Sequence, residues 1–335
     1  MGAQSSAFDV YGYRFSVRGS SRSAVDGLGH DFAFFRAQPS GDEVTIEMQE
    51  QAPDYDGLPV CDASVYTPRN TVYRNNGHSY IDYHGKGLGV YEPGKRSFQI
   101  VSRDPHVLYE ASYLFLLSQI GAALDRKRMH RLHALAISVN GRAVLALLPM
   151  GGGKSTLGDY LLRYPEVKLL SDDSPFIDAA GGIHAFPLHL GLLAGSEGEV
   201  PEQHRRYVNR MEFGPKYLVN YEFFADRVVS FAEPGIVFLG SRTLSRECRI
   251  EPASMTAGLR TMVSNCVIGM GLFQGLEFIL ESSPWELLGK SQVGWSRLAN
   301  CHRLLRRSRV CHLALGRDLE KNAATVVEYA RRVLG

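Results

Sequence analysis

The run Met150-Gly151-Gly152-Gly153-Lys154-Ser155-Thr156 contains the parts of an anion cradle. Glycines let consecutive backbone N–H groups turn inward, and a helix opening at the lysine adds its dipole. Lys154 would then reach the β- and γ-phosphates of a nucleotide, and the Ser155 hydroxyl suits Mg2+. The loop departs from the usual G-x-x-x-x-G-K-[ST] spacing, because Leu148 stands where the first glycine belongs. Leu148-Pro149-Met150 must therefore make the turn off the preceding strand. The plain alternative is a glycine-rich helix cap that holds no ligand.

Asp172-Asp173 closes a short apolar run, residues 167–171, which reads as a buried strand lying beside the strand that feeds the glycine loop. Adjacent carboxylates can divide two tasks: one holds Mg2+, and the other takes a proton from an attacking hydroxyl. The competing role is to cap the turn at Asp172-Asp173-Ser174-Pro175. His133 opens the first arm of a hairpin whose second arm ends at the loop, so the pairing brings it back towards the glycines. A lone histidine is more commonly a structural residue. Lys216, which follows Arg205, Arg206 and Arg210, suits neutralisation of charge on a transferring phosphoryl group, against the simpler role of a solvated basic loop. Residues 301–312 contain His and Cys without tetrahedral zinc spacing.

The elements that must position these groups are legible in outline. Residues 8–103 alternate apolar and polar residues between Gly, Pro and Asn turns, as strands do. Asp104-Pro105 marks a helix start, and Val107, Leu108, Ala111, Leu114, Ile120 and Leu124 give that helix one buried face. Two apolar runs, 134–139 and 143–148, flank Asn140-Gly141, a strong hairpin signal. A helix over 156–164 stops at Pro165. A second hairpin turns at Gly181-Gly182, while residues 201–220 read as a polar, mobile loop. A buried strand over 235–241, helices from 252 to 308, a strand over 310–316 and a helix over 318–334 complete the chain.

Composition narrows the classes. The chain has 335 residues, 44% of them hydrophobic and 21% charged, with a net charge of +2. That balance fits a globular protein and gives no reason to expect nucleic acid as a partner. The five cysteines form no C-x-x-C pair, which points to reduced thiols and a cytoplasmic setting. The apolar run 266–280 is interrupted by Gln274 and Glu277, so no membrane span is expected, and no secretory signal is seen. Gly2 and Ser6 fit a myristoylation pattern, a match that is usually accidental on so short a motif.

Residues 132–193 resemble the HPr kinase/phosphorylase family and its broader relatives. The resemblance rests on a His opening a strand, a hairpin, a G-K-[ST] loop, a helix, and a strand ending in Asp-Asp, here His133, Gly153-Lys154-Ser155-Thr156 and Asp172-Asp173. Residues 310–334 resemble the family's C-terminal end more weakly. The resemblance implies an ATP-dependent kinase with a P-loop core akin to phosphoenolpyruvate carboxykinase. It implies that His133 and Lys154 lie in the active site, with Asp172 as catalytic base and Asp173 as its metal-side neighbour. The family's downstream G-x-I-E-V-R-G signature is replaced by GGIHAFPLHLGLL, which lacks both the Glu and the Arg. Phosphorylase activity and HPr as acceptor are therefore not implied. The chain looks more like related kinases that phosphorylate a serine of a precursor peptide.

The resulting expectation is an α/β protein with a β-rich N-terminal domain (1–105) and a P-loop kinase domain (106–335). It would use ATP and Mg2+ to phosphorylate a hydroxyl of a peptide or protein. The alternatives are a small-molecule kinase and a non-catalytic nucleotide-binding regulatory module. Homo-oligomerisation is left open.

Overall fold

The computed structural model describes residues 6–149, 151–192, 200–212, 214–267 and 284–335, with backbone alone for 267 and 284–290. Met150 and Gly2, and most of the apolar run 266–280, lie outside the described residues. The protein is a mixed α/β molecule that divides into two compact units. Among the described residues, the first unit holds 6–123 and 200–222, and the second holds 124–192, 223–267 and 284–335.

In chain order, the first stretch runs β1 (Ser6–Val10), β2 (Tyr13–Gly19), α1 (Arg22–Asp31), β3 (Arg36–Ala37), β4 (Val44–Glu50), β5 (Ala63–Tyr66), β6 (Thr71–Asn75), β7 (His78–Asp82), β8 (Gly87–Glu92), β9 (Ser97–Ser102) and α2 (Pro105–Arg126). The next runs β10 (His130–Arg131), β11 (Leu135–Val139), β12 (Arg142–Leu147), α3 (Lys154–Leu161), β13 (Lys168–Ser171), β14 (Phe176–Ile177), β15 (Ile183–His184) and β16 (His189–Gly191). Then come β17 (Arg205–Arg210), β18 (Gly214–Asn220), β19 (Phe231–Arg242), β20 (Arg249–Pro252), α4 (Met255–Met262), α5 (Pro284–Arg306), β21 (Arg309–Leu315) and α6 (Leu319–Leu334).

The first unit is built on a nine-stranded sheet in the order β3-β1-β2-β4-β9-β8-β7-β6-β5. Its core packs Phe8, Phe15 and Phe32 together, and stacks Phe115 of α2 on Phe98 of β9 at 4.1 Å. That stacking draws most of α2 into this unit, whose first stretch runs to residue 123. Helix α2 is also long and apolar enough to cross a membrane by length and composition, a property the sequence reading passed over, and 72% of its most apolar window is buried within the molecule.

The expected mobile loop over 201–220 is instead the antiparallel hairpin β17–β18, and it belongs to the first unit. Arg206 anchors it. Its guanidinium pairs with fully buried Asp31, and donates to Gly27 O and to Asn220 Oδ1, both at 3.0 Å. Tyr109 Oη donates to the second Asp31 oxygen at 2.6 Å. A buried ion pair whose remaining lone pairs are satisfied holds a strand that looks like a loop by composition alone.

The second unit centres on the sheet β10-β14-β15-β19-β12-β11-β13, with β21 beside β19 and β20 beside β21. Strands β12, β19 and β21 are mutually parallel, so their carboxyl ends face the same way. Strand β11 occupies the other side of β12, and β13 pairs with β11. The Asp-Asp strand was expected beside the strand feeding the glycine loop, but β13 is one strand removed from β12. The tight Asn140-Gly141 turn, with φ of 51° and 73°, makes the hairpin partner β11 the neighbour instead.

Candidate functional site

The loop leaves β12 through Leu148 and Pro149, and α3 begins at Lys154. Gly152 N–H donates to Pro149 O at 2.9 Å, a turn so tight that a Cβ on Gly152 would lie 2.8 Å from that oxygen. Gly153 caps the helix with φ 94°, a conformation glycine adopts at least cost. Leu148, in place of the usual glycine, is buried, and its side chain fills the room left by Gly240 on β19. A Cβ on Gly240 would come within 2.4 Å of Leu148 Cδ2. The altered loop entry is thus matched by a glycine on the neighbouring strand.

Lys154 is only 8% exposed. Its ammonium spans the loop, donating to Leu148 O and His133 Nε2, both at 2.9 Å, and to Pro149 O at 3.4 Å. Burial holds the lysine below its ordinary pKa, against the opposing charges of Asp173 and Asp172. Because the ammonium must donate, Nε2 of His133 is the acceptor and its proton sits on Nδ1. That Nδ1 lies 3.1 Å from Asp173 Oδ1, at hydrogen-bond distance though outside hydrogen-bond alignment. The meeting is enforced by the backbone: Leu132 N–H donates to Pro175 O and Ala134 N–H to Asp173 O, which runs residues 132–134 alongside 173–175.

The two aspartates differ. Asp172 Oδ2 accepts from Ser155 Oγ at 2.9 Å, in the first turn of α3. The Asp173 side chain keeps 53% of its surface exposed. Desolvation raises the Asp173 pKa, but the nearby His133 and then the Lys154 charge outweigh it, leaving the carboxyl below its ordinary value.

His133, Lys154, Ser155, Asp172 and Asp173 are therefore linked by contacts within one unit. Thr156 and Leu157 line, with Gly152 and Gly153, a shallow crevice that extends to Arg242, Leu315 and Leu319. Arg210 and Lys216 lie on the other unit, across the β17–β18 hairpin. Arg210 Nε donates to Gly214 O at 3.1 Å, and half-buried Lys216 stands opposite Val208. Among the described residues, no group of three His, Cys, Asp or Glu side chains could hold a metal by itself. Mg2+ asks for less, because it binds through one or two carboxylates and completes its shell with phosphate oxygens and water. Ser155 with Asp172, and Asp173 beside them, meet that requirement.

Sequence reasoning missed Arg242. No motif spacing marks it. The available signal was its place at the end of the buried run 235–241, since ligands gather at the carboxyl ends of parallel strands.

No family model matches the chain, and no curated protein matches it. Among solved structures it is similar to the Hpr(Ser) kinase/phosphatase from Coxiella burnetii, at 13% identity over 61% of this chain and 97% of that one, with a TM-score of 0.28.

Proposed function

We propose that this protein transfers the γ-phosphoryl group of ATP to a hydroxyl, with serine or threonine of a peptide or protein as acceptor. The observation that carries this reading is the set of contacts joining the glycine loop to two carboxylates: hydrogen bonds from Ser155 to Asp172 and from Lys154 to His133, and His133 Nδ1 at 3.1 Å from Asp173. A nucleotide switch needs one carboxylate on the metal side, whereas a second, solvent-facing carboxylate serves an incoming hydroxyl.

In this reading the Lys154 ammonium exchanges the Leu148 and Pro149 carbonyls for the β,γ-phosphate oxygens. Ser155 and Asp172 would hold Mg2+, which neutralises charge on the phosphates when bound. Asp173 orients the acceptor hydroxyl and takes its proton as the oxygen attacks phosphorus and ADP leaves. His133 keeps Lys154 and Asp173 in fixed relation. The sequence had suggested Asp172 as base and Asp173 as metal neighbour. What supports exchanging the roles is that Asp172 is bonded to the metal-binding hydroxyl while Asp173 faces solvent.

The test is transfer of labelled phosphate from Mg-ATP to an array of Ser- and Thr-containing peptides and small alcohols. Asp173→Asn should lower kcat by about 10²–10⁴-fold with ATP affinity retained. Asp172→Asn should instead raise the Mg2+ concentration needed for half-maximal rate. ATP binding with no acceptor labelled would leave a nucleotide-binding regulatory module in place of a kinase, and labelling of small alcohols alone would make it a small-molecule kinase.

A further inference from the structure

The three parallel strands of the second unit end side by side, but only β12 contributes to the phosphate cradle described above. Register shows what the other two bring. Leu147, the last residue of β12, pairs with Leu239, and β19 continues three residues further to Arg242, which pairs with Leu315 at the end of β21. Thr243 fixes this strand end, its N–H donating to Leu315 O at 2.9 Å and its Oγ1 to the same oxygen at 3.2 Å. Arg242 therefore projects from a pinned strand end. Its Nη1 lies 3.5 Å from where a Cβ on Gly153 would be, directly against the helix-opening glycine. The guanidinium is exposed and makes no ion pair or hydrogen bond among the described residues.

Leu157, Leu315 and Leu319 also line the crevice, the first two almost fully buried. Asn322, which also lines it, spends its amide on Gly316, accepting from Gly316 N–H at 2.8 Å and donating to Gly316 O at 3.0 Å. It shapes the wall and leaves the polar recognition to Arg242. A guanidinium set against a phosphate cradle matches the negative charge of a phosphate chain.

We propose that Arg242 is the second cation of the nucleotide site. It binds oxygens of the phosphate chain that the glycine loop cradles. The proposal rests on the nucleotide reading above and assigns to it a residue that no phosphate-loop spacing marks. An arginine suits the position because its planar fork bonds two phosphate oxygens at once and stays charged at every accessible pH.

Calorimetric titration of the whole protein with Mg-ATP and with Mg-tripolyphosphate, which lacks the nucleoside, tests the assignment. Arg242→Ala should raise Kd for both ligands by about tenfold or more. Arg242→Lys should recover part of the loss for both, and the ligand-free Tm should stay put because the side chain is exposed. If that Tm falls, Arg242→Gln carries the same comparison. Kd values within twofold of wild type for both ligands would overturn the proposal. So would a loss for ATP with tripolyphosphate unaffected, since Arg242 would then touch only the nucleoside. If the wild-type protein binds neither ligand, the nucleotide reading itself falls, a result distinct from either of these.

Discussion

A buried ammonium is costly unless its protons find acceptors, and Lys154 finds three inside its own loop and on His133. Burial still holds its pKa below the ordinary 10.5. Phosphate oxygens carry more negative charge than carbonyls, so a bound polyphosphate pulls that pKa back up. The sign follows by linkage. At pH below the free-state pKa the lysine is protonated with or without ligand, and affinity is full. As pH rises through the free-state pKa, binding must first restore the proton, so affinity declines and proton uptake accompanies binding. Mg-ATP affinity should therefore weaken on the alkaline side before pH 10.5 is reached, with proton uptake visible as buffer-dependent binding enthalpy. A flat profile up to that pH would show that the ammonium does not meet the phosphates. Lys154→Ala should lose most of the affinity and all of this pH dependence.

At the scale of elements, the loop entry depends on a leucine and a glycine on neighbouring strands. Gly240→Ala forces a methyl into Leu148 and should destabilise the protein by about 1–3 kcal/mol through overpacking. Leu148→Ala leaves a cavity and should cost about 2–5 kcal/mol. The pair combined should cost less than the sum, by about 0.5–3 kcal/mol, because the new methyl enters the space that the leucine vacates. Urea unfolding of the four proteins gives the coupling, and strict additivity would show that the two sites do not share that space. This pairing also marks the limit of what the sequence disclosed. Asn140-Gly141 announced its hairpin because the turn demands those residue types, and φ of 51° and 73° meets the demand. The spacing of His133, Lys154 and Asp172-Asp173 was legible for a similar reason, since such chemistry requires particular residue types near one another. Strand order was not legible. Nothing local to residues 168–171 says that they pair with β11 and not β12. Helix α1 passed unseen because Gly27 and Gly29 weaken its helical pattern. The β17–β18 hairpin was hidden by its arginines, whose decisive partner, Asp31, is 175 residues from Arg206.

Across the molecule, contacts between distant segments support stability, and in the second unit Asp125 gathers several of them. Its Oδ1 lies 2.7 Å from His130 Nδ1, and its Oδ2 accepts from Arg297 Nη2 at 2.6 Å. His130 Nε2 meets Ser296 Oγ at 2.8 Å, and Arg297 Nη1 donates to Cys266 O at 3.1 Å. One carboxylate thus joins the end of α2, β10, the segment after α4, and α5. Desolvation pushes the Asp125 pKa up, but the His130 hydrogen bond and the Arg297 charge outweigh it, and the folded value lies below 3.8. A carboxyl with a depressed folded pKa contributes stability that is complete above its unfolded value and disappears as pH falls through the folded one. The wild-type protein should therefore lose stability progressively below about pH 4, with Asp125 and Asp173 both contributing. Asp125→Ala removes one partner and strands the Arg297 charge, which should cost about 3–5 kcal/mol at neutral pH. Asp125→Asn keeps the shape, so it should cost less at neutral pH and should flatten the acid side of the profile, because it has no proton to gain. Urea midpoints measured from pH 3 to 7 separate these cases. If wild type and Asp125→Asn lose stability with the same slope below pH 4, the acid sensitivity lies elsewhere and the Asp125 cluster does not hold the unit together.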